Sequence, residues 1–524
     1  MSNRNLFKIA GFVGIITIIS KTFGLIRDLV IAKFFGTSIV ADAYNFAYLL
    51  TGNFLILLGG LGGPFHSATV ASLSKIKDNS KETGSFLIKI ILVTFVVLSL
   101  IAFLIFKFKH LIFPVLIPAS GLDPAYKEKL WYITGIHLDI MLPLIVISGL
   151  LGILCGVSNI YKNFFSPSFG PALPSISIVL LIFLYPENKL GLSLAIGTLI
   201  GAILQLFIQV PDLIKGALYE NIKFSFVKNQ KTVSEFGFFL GPALLSTTIG
   251  QLTVYVDSFF CSGLEEGSWT ATVFANRLIQ LPLGVLATSF LVPFFPRFSE
   301  LANNKDIKGL KNTSLTVIKT LWFLITPMAV YLLLFNKEII ELLFQRGAFD
   351  ERSTELTAGI LSALSLSMIA YVARDTLTRV FYSLGDSRTP LIIAIISILL
   401  KMVFNSLLVA KYHAAGIAFA TSLVTCLNFL LLAILLRKQI GSLGWIKNIR
   451  SLSKLIIVTL TMYMFVLLFL NIFPLSTSDN LFSKLTLISI SFTVCCLIYF
   501  GLALTLRIEE AEKIFLEMKR KINI

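Results

Sequence analysis

"SKTFGLIRDLVIAKFFG" (residues 20–36) decides how the chain is read. It continues an apolar run that starts near residue 9, and the two together are long enough to cross the roughly 30 Å hydrocarbon core of a bilayer. Yet it holds Lys21, Arg27, Asp28 and Lys33. Charge at mid-membrane costs at least about 2.5–3.5 kcal/mol per residue on insertion scales, so such side chains face a partner or a wet cavity. Lys21 and Asp28 are two helical turns apart and share nearly one face, with Arg27 one position round. Gly24, one turn from both Lys21 and Arg27, leaves room for a bend or an approaching ligand. The stretch reads as a cationic surface with one carboxylate to orient it.

Outward from this stretch, the whole chain has the same apolar character. Of its 524 residues 56% are hydrophobic and 14% charged, with a mean hydropathy of +0.87, whereas soluble domains are about 45–50% apolar. Apolar runs of about 20 residues recur from end to end, and the short alternating segments of a barrel do not appear. The fold class expected is all-α integral membrane. The first run passes into "KTFGLIRD" with no short h-region or cleavage site, so it reads as a retained helix rather than a signal peptide. The five cysteines have no metal-ligand spacing and read as packing residues. No metal, cofactor or nucleic-acid module is implied.

Hydropathy places helices near 9–34, 40–70, 86–106, 131–157, 167–185, 190–211, 233–261, 269–296, 316–335, 357–384, 389–410, 414–436, 454–474 and 482–506, roughly 14 spans. With an even count both termini share a side. One face then carries roughly 25 Lys and Arg against roughly 11 on the other, so both termini are expected in the cytoplasm. The acidic connections "SGLEEGS" (262–268) and "FDERSTE" (349–355) fall on the opposite face. No loop much exceeds about 25 residues, too short for a soluble catalytic domain. The expected organisation is a first lobe of six helices (1–212), a cytoplasmic linker (213–232), a second lobe of six (233–438), and a last helix pair with a basic tail (439–524). Two such lobes suggest a pseudo-symmetric transporter.

Further charges fall inside these segments: Asp42 and Asp139 in the first half; Asp257, Arg277, Arg374, Asp375, Arg379 and Lys401 in the second. Lys33 and Arg297 lie near segment ends and are expected to snorkel. Asp375 and Arg379 have i,i+4 spacing and are expected to pair. Arg27 and Arg277 have no such explanation, and two guanidinium forks in a shared wet cavity would hold a phosphate bidentately. "LLGGLGGPFHSA" (57–68) lacks the Lys-Ser/Thr ending of a phosphate loop and follows no strand, so it reads as a broken or flexible helix. His66 within it reads as structural.

At these residues the chain resembles the MurJ (MviN) family of lipid II flippases, within the larger group that includes MATE-type multidrug exporters. The resemblance is carried by "FGLIRDLVIAKFFGTSIVADAYNFAY" (23–48), "NFFSPSFGPALPSIS" (163–177), "GTLIGAILQLFIQVP" (197–211), "VYVDSFF" (254–260), "FANRLIQLPLGVLATSFLVPFFPRFS" (274–299), "LLFQRGAFD" (342–350) and "FYSLGDSRTP" (381–390), in order along the chain. It implies a 14-helix MATE-like fold with two six-helix lobes in a V, a central cationic cavity, and an apolar groove on the last two helices for a polyprenyl tail. The implied cargo is undecaprenyl-pyrophosphate carrying a disaccharide-pentapeptide, moved to the outer leaflet of the bacterial plasma membrane for the peptidoglycan synthesis machinery. Carried over by position, Lys21, Arg27, Asp28 and Arg277 would bind the pyrophosphate. Asp42, Arg374 and Arg379 would be accessory, and Gly24, Gly59, Gly60, Gly62 and Gly63 would absorb bending. The protein would act as a monomer and would not be an enzyme.

Two departures from the family pattern stand out. Where many relatives have a second-helix arginine, this chain has Ile56 and Leu57, so the head-group site would either have one cationic contact fewer or recruit Arg374 or Lys401 instead. Some members hold sodium with an Asp on the seventh helix, an Asn-x-x-x-Asp-like pair on the eleventh and a Thr on the twelfth. Here the matching residues are Asp257, Lys401, Asn405 and Thr421. The ammonium of Lys401 would take the sodium's place, so the expectation is no sodium site and coupling to membrane potential or protons. The rival readings are a drug or polysaccharide-lipid transporter of the same group and an intramembrane polyprenyl-phosphate transferase. The first favours an acidic aromatic pocket in the case of drugs, whereas the basic residues here favour an anionic cargo; the second needs an Asp-rich Mg²⁺ motif, and no such cluster is found.

Overall fold

A computed structural model describes residues 3–60, 63–76, 80–186, 189–214, 230–444, 449–472 and 481–522. Gly62 and linker residues 215–229 lie outside the described residues. Every regular element described is helical, as expected of a chain whose backbone polar groups must be satisfied within each segment in lipid. The described residues of the predicted apolar segments are mostly helical, with interruptions inside 40–70, 167–185 and 357–384. Among the described residues, six helices are long and apolar enough to span by themselves, and a seventh candidate is a pair bent by 47° at a short break.

The described residues pack as two compact units, Met1–Thr270 with Arg346–Phe349, and Ala271–Gln345 with Asp350–Ile524. The first contains α1 (Asn3–Phe35), α2 (Ile39–Leu57), α3 (Pro64–Leu73), α4 (Ser80–Leu116), α5 (Pro124–Met141), α6 (Pro143–Ile160), the short α7 (Phe165–Phe169), α8 (Ala172–Leu184), α9 (Leu192–Leu213) and α10 (Gln230–Cys261). The predicted break in the glycine-rich stretch is present. α2 stops at Leu57, and α3 restarts at Pro64, a residue suited to the first turn because its missing N–H has no partner there in any helix. Gly149, Gly152 and Gly156 line one face of α6 at i,i+3/i+4 spacing. A Cβ on Gly152 would run into the Leu58 carbonyl and one on Gly156 into Thr69, so small residues let these backbones approach. Gly201 does the same for α9 against Pro174 of α8. One side of α4 displays Leu92, Val93, Phe95, Val96, Leu100 and Phe103, a surface whose natural solvent is hydrocarbon.

The second unit takes most of α11 (Ser268–Leu286), a π-helical turn at Ala287–Leu291, α12 (Val292–Asn303), α13 (Ile307–Leu334), α14 (Asn336–Phe344), α15 (Glu351–Ser365), α16 (Met368–Ser383), α17 (Arg388–Ile440), α18 (Ile449–Ile472), α19 (Leu481–Thr505) and α20 (Glu509–Ile522). α17 joins the two predicted segments 389–410 and 414–436 across a kink at His413, whose φ of 47° is outside the helical range. α13 is central, packing on α15, α16, α18 and α19. Two tyrosines fasten α19 to it: Tyr331 donates to the Ile488 carbonyl at 2.7 Å and lies 2.9 Å from Ser491 Oγ, and Tyr499 donates to the Phe323 carbonyl at 3.0 Å. Asp306 and Asp350 cap α13 and α15 by accepting from the backbone N–H of Gly309 and Ser353.

Candidate functional site

α1 runs through Gly24 without a break, and a Cβ there would meet nothing within 4 Å. The glycine therefore leaves open space beside the charged face. Three residues on, Arg27 is 8% exposed and Asp28 3%. Arg27 donates through Nε and Nη2 to the same oxygen, Asp28 Oδ1, at 2.9 and 2.7 Å. A guanidinium has more N–H donors than one carboxylate oxygen occupies, so the pair fixes its direction without saturating it. Tyr44 and Tyr48 of α2 lie within electrostatic reach of the guanidinium. Their rings are 5.9 Å apart, and the Tyr44 hydroxyl is 2.9 Å from Thr198 Oγ1. Lys21, two turns back from Asp28, is exposed. The arrangement offers a positioned, desolvated cation with an exposed one nearly two turns back along the helix, a combination suited to an anion.

A second arginine–aspartate pair stands on α16. Arg374 reaches Asp375 Oδ1 through Nη2 at 2.7 Å and Nε at 3.3 Å, and its Cζ lies 4.1 Å from the Tyr371 ring centroid. The expected Asp375–Arg379 pairing is corrected here, since the Asp375 carboxylate pairs with its neighbour. The Arg374 side chain is long enough to curl round the helix to Asp375 while its flat face rests on Tyr371, and that stacking favours this geometry over an i,i+4 bridge. Arg379, one turn on, is half-buried. The Tyr371 contact was not foreseen, although an aromatic three residues before an arginine on a helix signals it. Side chains at the first dyad are 9% and 4% exposed, and at the second 26% and 29%. The first is thus the drier site, where a charge interaction is stronger.

Asp42 has a definite task in the first unit. Its Oδ2 accepts from the Gly267 N–H at 2.7 Å, and its Oδ1 accepts from the Thr270 N–H at 2.8 Å and hydroxyl at 2.7 Å. A carboxylate there satisfies N–H groups at the start of α11 and complements the helix dipole. Glu266 from the same acidic connection accepts from the N–H of Ile39 at 2.6 Å, capping α2 in return. The loop 346–349 joins them, with the Ala348 N–H donating to the Lys33 carbonyl at 2.8 Å. Gly36, at φ 57°, lies so close to Ala348 that a side chain would collide with its carbonyl. Asp139, another of the predicted interior charges, pairs with Lys109 at 2.5 and 2.7 Å.

Of the candidate coupling residues, Lys401 (5% exposed) and Asn405 (0%) sit one turn apart on α17. Thr421, beyond the His413 kink, donates to the Ile417 carbonyl. Asp257, 9% exposed, belongs to α10 of the first unit, and Arg277, half-buried, to α11 of the second. Gly59 and Gly60 lie in the break after α2, and Gly63 caps α3. His66 Nε2 lies 2.6 Å from Asn159 Nδ2.

The family model described as "Lipid II flippase MurJ" matches residues 31–487. A probable lipid II flippase MurJ of Synechocystis is 32% identical over 472 residues, covering 86% of each chain. The lipid II flippase MurJ of Burkholderia cenocepacia is 27% identical, covering 85% of this chain and 86% of its own. Among solved structures, a lipid II flippase MurJ in an inward closed conformation superposes with a TM-score of 0.74 at 25% identity, over 94% of this chain and 99% of that one. An inward-facing MATE-family multidrug transporter matches at 0.62 and 14% identity, over 81% and 95%, a likeness of fold alone.

Proposed function

The chain belongs to the MurJ family of lipid II flippases, and from that premise we propose how it handles its cargo. Lipid II is a diphosphate-linked sugar head on a long apolar tail. The tail need never leave hydrocarbon, so translocation is a matter of desolvating and neutralising the head. The observation that carries this reading is the Arg27–Asp28 dyad: a buried guanidinium held by one carboxylate oxygen, next to the open space at Gly24. Arg27 takes a phosphate oxygen with the N–H donors that Asp28 leaves over. Lys21 meets the head first, since a long exposed ammonium can follow a moving anion, and Arg277 of α11 is a further guanidinium for the diphosphate. Arg374, stacked on Tyr371, supplies the cation that the second helix lacks.

The cycle is alternating access across roughly 14 spans, with both termini in the cytoplasm as the Lys and Arg bias requires. Release occurs at the outer leaflet, for the enzymes that build peptidoglycan. Lys401 takes the place of a sodium ion, so transport follows membrane potential or protons. The protein works as a monomer.

The test is rescue of bacteria depleted of their own lipid II flippase. The parent chain should restore growth, while Arg27→Ala and Arg277→Ala, present in the membrane at parental levels, should not. Rescue by Arg27→Ala would remove the dyad from the mechanism. Transport that requires sodium and is abolished by Asp257→Ala would refute the coupling proposed.

A further inference from the structure

The last described helix is not used by any step above. α19 is long and apolar enough to span, and it ends in a fixed turn rather than a flexible tail. The Ile508 N–H donates to the Ala503 carbonyl at 2.9 Å and the Arg507 N–H to the Leu504 carbonyl at 3.0 Å, with Arg507 at φ 51°. This is the hydrogen-bond pattern of a Schellman cap. α20 begins one residue after Ile508, and its first turn is docked in the second unit. Lys319 of α13, 6% exposed, reaches Glu510 Oε1 at 3.0 Å and Glu509 Oε2 at 3.5 Å. Ile508 and Ala511 are 2% and 0% exposed.

Ile508, Ala511, Phe515, Met518 and Ile522 recur at alternating three- and four-residue spacing, one apolar stripe along the helix. Its first two members are buried in the protein. Beyond them the helix leaves the protein's cover, with Phe515 45% and Leu516 56% exposed. Exposed Lys513 and Lys519 lie on the same stretch, and Arg520 and Lys521 follow in the sequence. Lys319 engages two of the helix's four carboxylates, and along the rest of the helix the sequence sets Lys513, Lys519, Arg520 and Lys521 against Glu512 and Glu517. A span ends only three residues before α20 starts, so the nearest apolar medium for Phe515 is the bilayer boundary.

We propose that α20 is an interfacial helix that rests its Phe515 side in the membrane boundary and binds anionic phospholipid headgroups through Lys513 and Lys519. The Lys319–Glu510 pair and the cap at Arg507 hold α13 and α19 to that leaflet surface. The proposal concerns the lipid around the protein and is independent of what the cargo is.

The test uses the full chain in nanodiscs of phosphatidylcholine alone or with phosphatidylglycerol. The accessible cysteines are replaced (Cys426→Ala, Cys496→Ala), and an environment-sensitive fluorophore is attached at Phe515→Cys. Lipid-borne nitroxide should quench the probe in the anionic discs and much less in the zwitterionic ones. Lys513→Gln/Lys519→Gln should reduce the docking equilibrium roughly 30-fold, at about 1 kcal/mol per basic residue near a charged leaflet. Hydrogen exchange over 509–522 reports in parallel whether α20 stays folded; if Phe515→Cys unfolds it, Leu516→Cys carries the probe instead. A probe that stays water-exposed while these amides stay protected overturns the proposal. So does one shielded equally in both disc types and in detergent, because a protein surface would then cover the face.

Discussion

Replacing Asp42 by alanine removes a buried acceptor of three hydrogen bonds, from the Gly267 N–H and from the N–H and hydroxyl of Thr270. Hydrogen bonds to a charged group net about 1.5–3 kcal/mol each, and an N–H left buried without an acceptor costs about 1–3 kcal/mol. These terms overlap, so the expected loss is about 3–4 kcal/mol, within the range seen when one partner of a buried charged pair is deleted. At an unfolding entropy of about 2.1 cal/mol/K per residue over a unit of about 270 residues, that is a fall in Tm of about 6 °C. Asp42→Asn keeps one acceptor oxygen but sets an amide N–H2 against a backbone donor, so about half the loss should appear. Thr270→Val removes two hydroxyl bonds, the one donated to Asp42 and the one accepted from Asn45 Nδ2 at 3.1 Å, about 2 kcal/mol together. The double variant Asp42→Ala/Thr270→Val should fall short of the sum, because both act on the same contact. Intrinsic-fluorescence melting in nanodiscs is the assay. Trp269, one of four tryptophans, contributes a signal from beside the contact, since its ring stacks on Phe46 at 5.7 Å. An Asp42→Ala protein melting within about 1 °C of the parent, or strictly additive losses, would refute the cap as the role of Asp42.

Gly24→Ala adds a methyl where nothing lies within 4 Å and improves helix propensity, so Tm should hold or rise, by up to about 1 kcal/mol of stability; failure of that stable protein to rescue flippase-depleted cells would show that cargo needs the space. Gly201→Ala is the opposite case, because its methyl meets the Pro174 backbone, and strain of about 1–3 kcal/mol should lower stability and with it Tm. Tyr331→Phe should loosen α19 from α13 by about 1–2 kcal/mol, read as faster hydrogen exchange over 481–505. At Asp386 the Thr389 N–H, followed by the Thr389 hydroxyl, holds the carboxyl below its ordinary value of 3.8. The stability it contributes is therefore full above about pH 4 and is lost as pH falls through the lower folded value. The Tm gap between the parent and Asp386→Ala should close on acidification, and a gap unchanged down to pH 3 would contradict this assignment.

How much was legible in the sequence differs from residue to residue. The break between Leu57 and Pro64 was readable because a glycine-rich run before a proline cannot hold a regular helix, whatever surrounds it. The joining of Arg27 to Asp28 was readable for a similar reason: neighbours on a helix within an apolar segment have only local ways to offset burial. For Asp375 the same local reasoning chose the wrong arginine, because Tyr371 supplies a stacking surface that the charge spacing alone does not weigh.

By itself the sequence determined that this is a helical membrane protein with ionic groups in its apolar segments, since hydropathy period, segment length and the cost of buried charge are properties of short windows. Only the tertiary structure decided which donor each acid meets. Asp42 caps a helix that starts 226 residues later, and Lys319 clasps a glutamate near the far end of the chain. A carboxylate's partner is chosen by three-dimensional proximity and desolvation, and neither is written in the spacing along the chain.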